Sequence, residues 1–116
     1  MRRTLNLYFE DIKTAIRKIE KFTQNLDFNA FRDDEKTIDA VVRNLEIIGE
    51  ATKNIPPEVK NKFPSIPWKR VIGMRNKVIH EYFGVDVEIL WKTITEEIPI
   101  LKKELSKIKR DMNHLC

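Results

Sequence analysis

The amino-acid sequence predicts an all-α fold, an antiparallel four-helix bundle, and three observations carry that expectation. Leu, Ile, Lys and Glu dominate while only three glycines occur in 116 residues, which favours long helices over turn-rich sheets. Apolar residues recur at spacings of three and four over long stretches, the signature of amphipathic helices. Four of the five prolines, Pro56, Pro57, Pro64 and Pro67, crowd into one segment, where a single connector is expected to interrupt the helical pattern.

The first helix is read from Leu5, Tyr8, Phe9, Ile12, Ala15, Ile16, Ile19, Phe22 and Leu26 and spans about residues 4–26. Asp33 or Asp34 is placed to cap the second, whose stripe is Ile38, Val41, Val42, Leu45, Ile48, Thr52 and Ile55 and which Pro56 and Pro57 end. The connector has room for a short extra helical turn around Glu58 to Lys62. Ser65 is placed to cap a third helix beginning at Pro67 and Trp68, and Gly84 to stop it in a left-handed conformation. Asp86 caps the fourth, with the stripe Val87, Leu90, Trp91, Ile94, Ile98, Leu101, Leu105, Ile108 and Met112 and a bend at Pro99. Four helices suffice for an antiparallel bundle. Gly49 and Gly73 fall inside the second and third helices, where each costs about 1 kcal/mol relative to alanine. Close approach of these two helix backbones is the expected compensation.

A chain of this length supports one hydrophobic core, so residues 1–116 are read as a single domain. Asn6 and Glu10 break the apolar core a signal peptide needs, and no apolar run approaches the ~20 residues that span a bilayer. The sole cysteine, Cys116, allows neither an intrachain disulfide nor a thiolate cluster for zinc. A cytoplasmic protein with no membrane association is the expectation. The net charge of +4, from 22 basic and 18 acidic side chains, is compatible with a polyanionic partner without demanding one. The metalloprotease pattern His-Glu-x-x-His and Gly-rich phosphate loops are both missing from the sequence, and no metal or cofactor is expected.

The segment Gly73-Met74-Arg75-Asn76-Lys77-Val78-Ile79-His80-Glu81-Tyr82 joins an arginine, an asparagine, a histidine and a tyrosine. At about 100° per helical residue, Arg75 falls in the middle of the stripe of Val71, Ile72, Val78, Ile79 and Tyr82. A guanidinium there needs a carboxylate, a phosphate or a wet cleft, because an unpaired buried charge is prohibitively unfavourable. Glu46 and Glu50, on the helix that Gly49 brings close, are the available carboxylates. Asn76 and His80 are neighbours four residues apart, but Arg75 and His80 differ by roughly 140° around an ideal helix. Three solutions exist: the helix loosens before His80, the arginine side chain curls round, or a twofold copy supplies the missing partner.

Arg75, His80 and Tyr82 match the Arg-x4-His-x-Tyr signature of HEPN domains (higher eukaryote and prokaryote nucleotide-binding), with the polar residue after the arginine supplied by Asn76. Gly49-Glu50-Ala51, the proline-rich connector, Trp68 and Gly73-Met74-Arg75-Asn76 make the chain resemble the HepT toxin branch over most of its length. The resemblance implies a dimeric helical ribonuclease with Arg75 and His80 in a composite cleft and no metal. It also implies a partner, an MntA-like minimal nucleotidyltransferase antitoxin, that attaches AMP units to Tyr82.

The residue types suit that chemistry. Metal-free RNA cleavage needs a base for the ribose 2′-hydroxyl, an acid for the leaving 5′-oxygen and donors for the phosphoryl oxygens. Imidazole, with a free pKa near 6.5, serves as base or acid around neutrality, and the planar fork of Arg75 suits phosphate. Asn76 is read as orienting His80 or donating to phosphate, and Glu50 as supporting the arginine. The rival reading is a non-catalytic HEPN dimer that binds a nucleotide or the nucleotidyltransferase in the same cleft.

Overall fold

Two long helices and a third, interrupted one form the frame. In a computed structural model of the chain, residues 2–74, 76, 79–80 and 84–115 are described, with side chains for all of these but 2–4, 79–80 and 109–115. Helix α1 (Arg2–Thr23) buries Phe9, Ile12, Ala15, Ile16 and Ile19 of the stripe read from its periodicity, whereas Phe22 at its end stays exposed. It stops three residues earlier than the apolar pattern suggests, because Asn25 adopts a left-handed φ of 64°, a conformation asparagine tolerates better than most residues.

A short helix not read from the sequence follows: α2 (Phe28–Arg32), capped by Asp27, whose carboxylate accepts from the Ala30 amide at 2.8 Å. At five residues it is too short to leave a periodic signal. Its Phe31 is fully buried, with its ring 5.0 Å from that of Trp91. Helix α3 (Glu35–Lys53) is capped by Asp34, which accepts from the amide of Thr37 at 3.0 Å and from its hydroxyl at 2.6 Å. Its buried Ile38, Val41, Val42, Leu45, Ile48 and Ala51 face α1 and the core. Tyr8 near the start of α1 and Asn54 just beyond α3 line one groove, so the two helices run antiparallel.

The connector holds the expected extra turn, α4 (Pro57–Lys62). Trp68 locks it in place by donating its indole N–H to the carbonyls of Lys60 and Phe63, at 3.0 and 3.1 Å. Beyond it the structure departs from the sequence reading. The third helix does not run unbroken from Pro67 to Gly84: α5 (Trp68–Ile72) is capped by Gly73, Met74 and Asn76 are helical again, and Ile79 and His80 are in a strand. Ser65 does not cap it either, since its hydroxyl donates to Glu104 at 2.8 Å and the cap position is Pro67. Strands β1 (Ile79–His80) and β2 (Gly84–Val85) then pair antiparallel, Ile79 with Val85 and His80 with Gly84. Gly84 does take the left-handed region, φ 78°, but it opens a strand where a helix stop was expected. Ile79 and Val85, paired across the two strands, are of a strand-favouring type; Ile79 also fits a helical stripe, which is why periodicity misreads it.

Asp86 caps α6 (Val87–Lys92) as expected, accepting from the Ile89 amide at 3.1 Å. A π-helical turn, Thr93–Glu97, leads into α7 (Ile98–Leu115). The disturbance therefore precedes Pro99: the ring nitrogen has no hydrogen to donate, and the wider turn accommodates the lost bond. Leu90, Ile94, Ile98, Leu101, Leu105 and Ile108 complete the core. Lys102 of α7 pairs with Glu20 of α1 at 2.9 Å, and Ser106 lies by Lys13 and Arg17, so these helices are also antiparallel. No helix among the described residues is long and apolar enough to cross a membrane.

Candidate functional site

The geometry around the motif starts with Gly49. A Cβ at this position of α3 would lie 3.1 Å from the carbonyl oxygen of Ile72 in α5, so only glycine lets the two backbones come this near without displacement. The close approach expected from the sequence is present at Gly49. At Gly73 the reason is different, because Gly73 caps α5, with its amide donating to Lys69 at 3.0 Å, and does not sit inside a helix. Val71 and Met74 turn into the core, each nearly fully buried.

From here the site residues diverge in how they are placed. Asn76 is helical and exposed. His80 is in β1, paired through its backbone with Gly84, so a helical angle cannot be carried from position 75 to position 80. The strand at His80 means that the helix has ended before it. Arg75 and Tyr82 lie outside the described residues, as does the His80 side chain.

Glu50 is exposed and opens onto a groove of about 360 Å³ between α1 and α3, shared with Tyr8, Asp11, Arg43 and Glu46. Glu46 makes an ion pair with Arg43 at 3.8 Å. Both carboxylates considered for Arg75 thus line a groove on the α1 side of α3.

Sequence reasoning missed a different carboxylate. Glu97, at the end of the π-helical turn, pairs with Arg70 of α5, Nε to Oε1 at 2.5 Å, with its side chain only 16% exposed. Arg70, Glu97, Val71, Met74 and Leu101 line a small cleft of about 50 Å³. The one available signal was a charged residue two places before a helix-bending proline, which is weak. Among the described residues no group of three or more His, Cys, Asp or Glu is placed to hold a metal ion.

Comparison with known proteins adds to this geometry. The family model described as "Ribonuclease HepT-like" matches residues 12–108. A protein of Thermococcus cleftensis named "Probable ribonuclease HepT" is 52% identical over 110 residues, covering 95% of this chain and all of its own length. "Putative RNase MJ0125" of Methanocaldococcus jannaschii is 42% identical over 111 residues, 96% of each chain. "Putative RNase TTE0752" of Caldanaerobacter subterraneus is 45% identical over 101 residues, 87% of this chain and 90% of its own. No solved structure gives a significant match.

Proposed function

The chain belongs to the HepT-like ribonuclease family of HEPN proteins, and from that membership we propose that it is a metal-independent endoribonuclease, the toxin of a type VII-like toxin-antitoxin pair. The observation that carries the proposal is that the family match, residues 12–108, encloses the whole Arg-x4-His-x-Tyr motif with Arg75, Asn76, His80 and Tyr82 all in place. The relatives named as ribonucleases cover nearly the full chain, so the activity their names state is available to the same length of protein.

The residues divide the chemistry between them. His80 takes the proton from a ribose 2′-hydroxyl; the 2′-oxygen attacks phosphorus, the bond to the 5′-oxygen breaks, and that oxygen is reprotonated. Arg75 neutralises the phosphoryl oxygens with two parallel N–H donors. Asn76 orients His80 or adds a further donor, and Glu50 supports the arginine from α3. Two copies of the chain form the cleft, each contributing an arginine and a histidine. Tyr82 is the control point: its phenolic oxygen attacks the α-phosphorus of ATP on the partner nucleotidyltransferase, pyrophosphate leaves, and the attached AMP brings negative charge and bulk to the phosphate site.

The test is cleavage of single-stranded RNA in excess chelator, with 2′,3′-cyclic or 3′-phosphate ends and no cleavage of DNA. Arg75→Ala and His80→Ala each abolish cutting with the helical circular dichroism unchanged. Loss of helical signal in Arg75→Ala would assign that side chain to structure instead. Tyr82→Phe cuts RNA but escapes neutralisation by the cognate nucleotidyltransferase and ATP, and intact-mass spectra show AMP-sized steps on the parent protein alone. Neutralisation of Tyr82→Phe without a mass change would remove Tyr82 from the switch.

A further inference from the structure

Helix α5 is five residues long, far below the length at which a helix sustains itself in water. It nevertheless delivers the chain into the segment from Gly73 to Tyr82. Its position must come from its neighbours, and it is held from two sides. On one, the Ile72 carbonyl lies over Gly49 of α3. On the other, Glu97 grips Arg70.

The second contact has an unusual origin. Glu97 is the last residue of the π-helical turn, where the Ile98 amide bonds back to Thr93. Such turns give up regular helical hydrogen bonding and recur at functional sites. Only 16% of the Glu97 side chain is exposed. Val71, Met74 and Leu101, all buried, wall the Glu97 side of the pair, while Arg70 keeps 59% of its side chain exposed and reaches to the carboxylate from the surface. Met74 is 2% exposed and directly precedes Arg75 in the chain, so any slip of α5 along the last helix is passed on to the motif.

We propose that Glu97 is a positioning residue for RNA cleavage: by holding Arg70 from the π-helical turn, it fixes α5 and so sets where the segment carrying Arg75 and His80 begins. The consequence for catalysis rests on the ribonuclease reading; the mechanical role does not. A misplacement of about 1 Å in a catalytic group is enough to lower a rate about a hundredfold, which makes a clamp on a five-residue helix worth retaining.

The experiment uses the full chain carrying Glu97→Gln, which keeps the shape and removes the charge. Turnover falls about tenfold while KM changes less than about twofold, the pattern of a lost contribution to the reacting geometry alone. Amide hydrogen exchange over residues 71–74 accelerates about tenfold, while the amides in the middle of α1 and α3 keep their protection. Arg70→Gln reproduces both effects, Arg70→Lys restores most of the turnover, and the double variant Arg70→Gln with Glu97→Gln is no worse than the poorer single one. Unchanged exchange at 71–74 would overturn the proposal. So would a rise in KM at constant turnover, which would move Glu97 to RNA binding, or a loss of protection throughout α1 and α3, which would make its role a general structural one. If the parent protein cuts no RNA, the ribonuclease reading fails separately, and the exchange measurement alone decides whether Glu97 holds α5.

Discussion

The α1–α3 pair and the segment from α5 to β2 are built on opposite principles. In the first, helices of 22 and 19 residues bury regular apolar stripes against each other. In the second, the described residues between 68 and 85 include a five-residue helix, helical Met74 and Asn76 beyond Gly73, and two strands of two residues each. The first region derives its stability from its own repeated contacts. The second takes its position from outside, through Gly49, the Trp68 indole and the Arg70–Glu97 pair. The residues with chemistry to offer, Arg75, Asn76, His80 and Tyr82, all fall in the second. A single continuous helix would leave Arg75 and His80 about 140° apart, and His80 is found in a strand instead.

The largest expected effect tests whether stability belongs to the first region. Leu45 is fully buried in the middle of α3; Leu45→Ala removes buried methyl groups and leaves a cavity, costing about 2–5 kcal/mol. Chemical denaturation should show that loss. His80→Ala, by contrast, should leave the denaturation midpoint within error of the parent while removing cleavage. A large loss of stability in His80→Ala would erase the distinction between the two regions.

That division also explains what the sequence made legible. Most of the stripes of α1, α3 and the last helices, the caps Asp34 and Asp86, the turn at Pro57–Lys62 and the need for glycine at position 49 are local or periodic signals found in the structure, with Phe22 the exposed exception. The Arg-x4-His-x-Tyr motif was legible as chemistry, but its backbone was not. Ile79 satisfies a helical stripe and a strand equally well, and periodicity alone does not choose between them. Ser65 found a partner 39 residues away in Glu104, and Arg70 found Glu97, also remote in sequence. No spacing rule announces pairs of that kind.

A smaller effect comes from the contact that joins the two regions. Gly49→Ala gains about 1 kcal/mol of helix propensity, but its new Cβ would stand 3.1 Å from the Ile72 carbonyl oxygen. That distance is too short for comfort, so a backbone must yield by a few tenths of an ångström, and the short α5 yields more easily than the long α3. The two contributions oppose each other in stability, and the melting midpoint should shift by only a few degrees. The displacement falls on the motif side, so cleavage should drop about tenfold. An alanine variant with full turnover would show that α5 tolerates movement and that its tight seating has no functional weight. Gly49→Val, bulkier and β-branched, should lose both stability and cleavage.

The smallest effect concerns acid, and it should be confined to the scaffold. Asp34 is held below the usual carboxylate range, first by the Thr37 hydroxyl and then by the Thr37 amide, both donating to it. Glu104 is lowered in the same direction by the Ser65 hydroxyl and then by Lys107. A carboxylate whose pKa is depressed by folding contributes stability that is fully present above its unfolded value, about 4, and is lost as pH falls through the lower folded value. The melting midpoint should therefore decline as pH is taken below about 4. Asp34→Asn preserves an acceptor at the head of α3, since asparagine caps helices nearly as well as aspartate, but it no longer titrates. Its midpoint should fall less steeply with acid than the parent's, and adding Glu104→Gln should flatten the curve further. Both groups keep only part of their surface open to solvent, Glu104 with 14% of its side chain exposed, and each holds its partner at the edge of the fold, so each contribution stays small. Hydrogen exchange across the same acid range locates the loss: opening should begin at the first turn of α3, where Asp34 holds the Thr37 amide. If opening began instead at residues 68–74 while the start of α3 stayed protected, acid would be acting on the dependent region, and the assignment of these two carboxylates to the scaffold would fail.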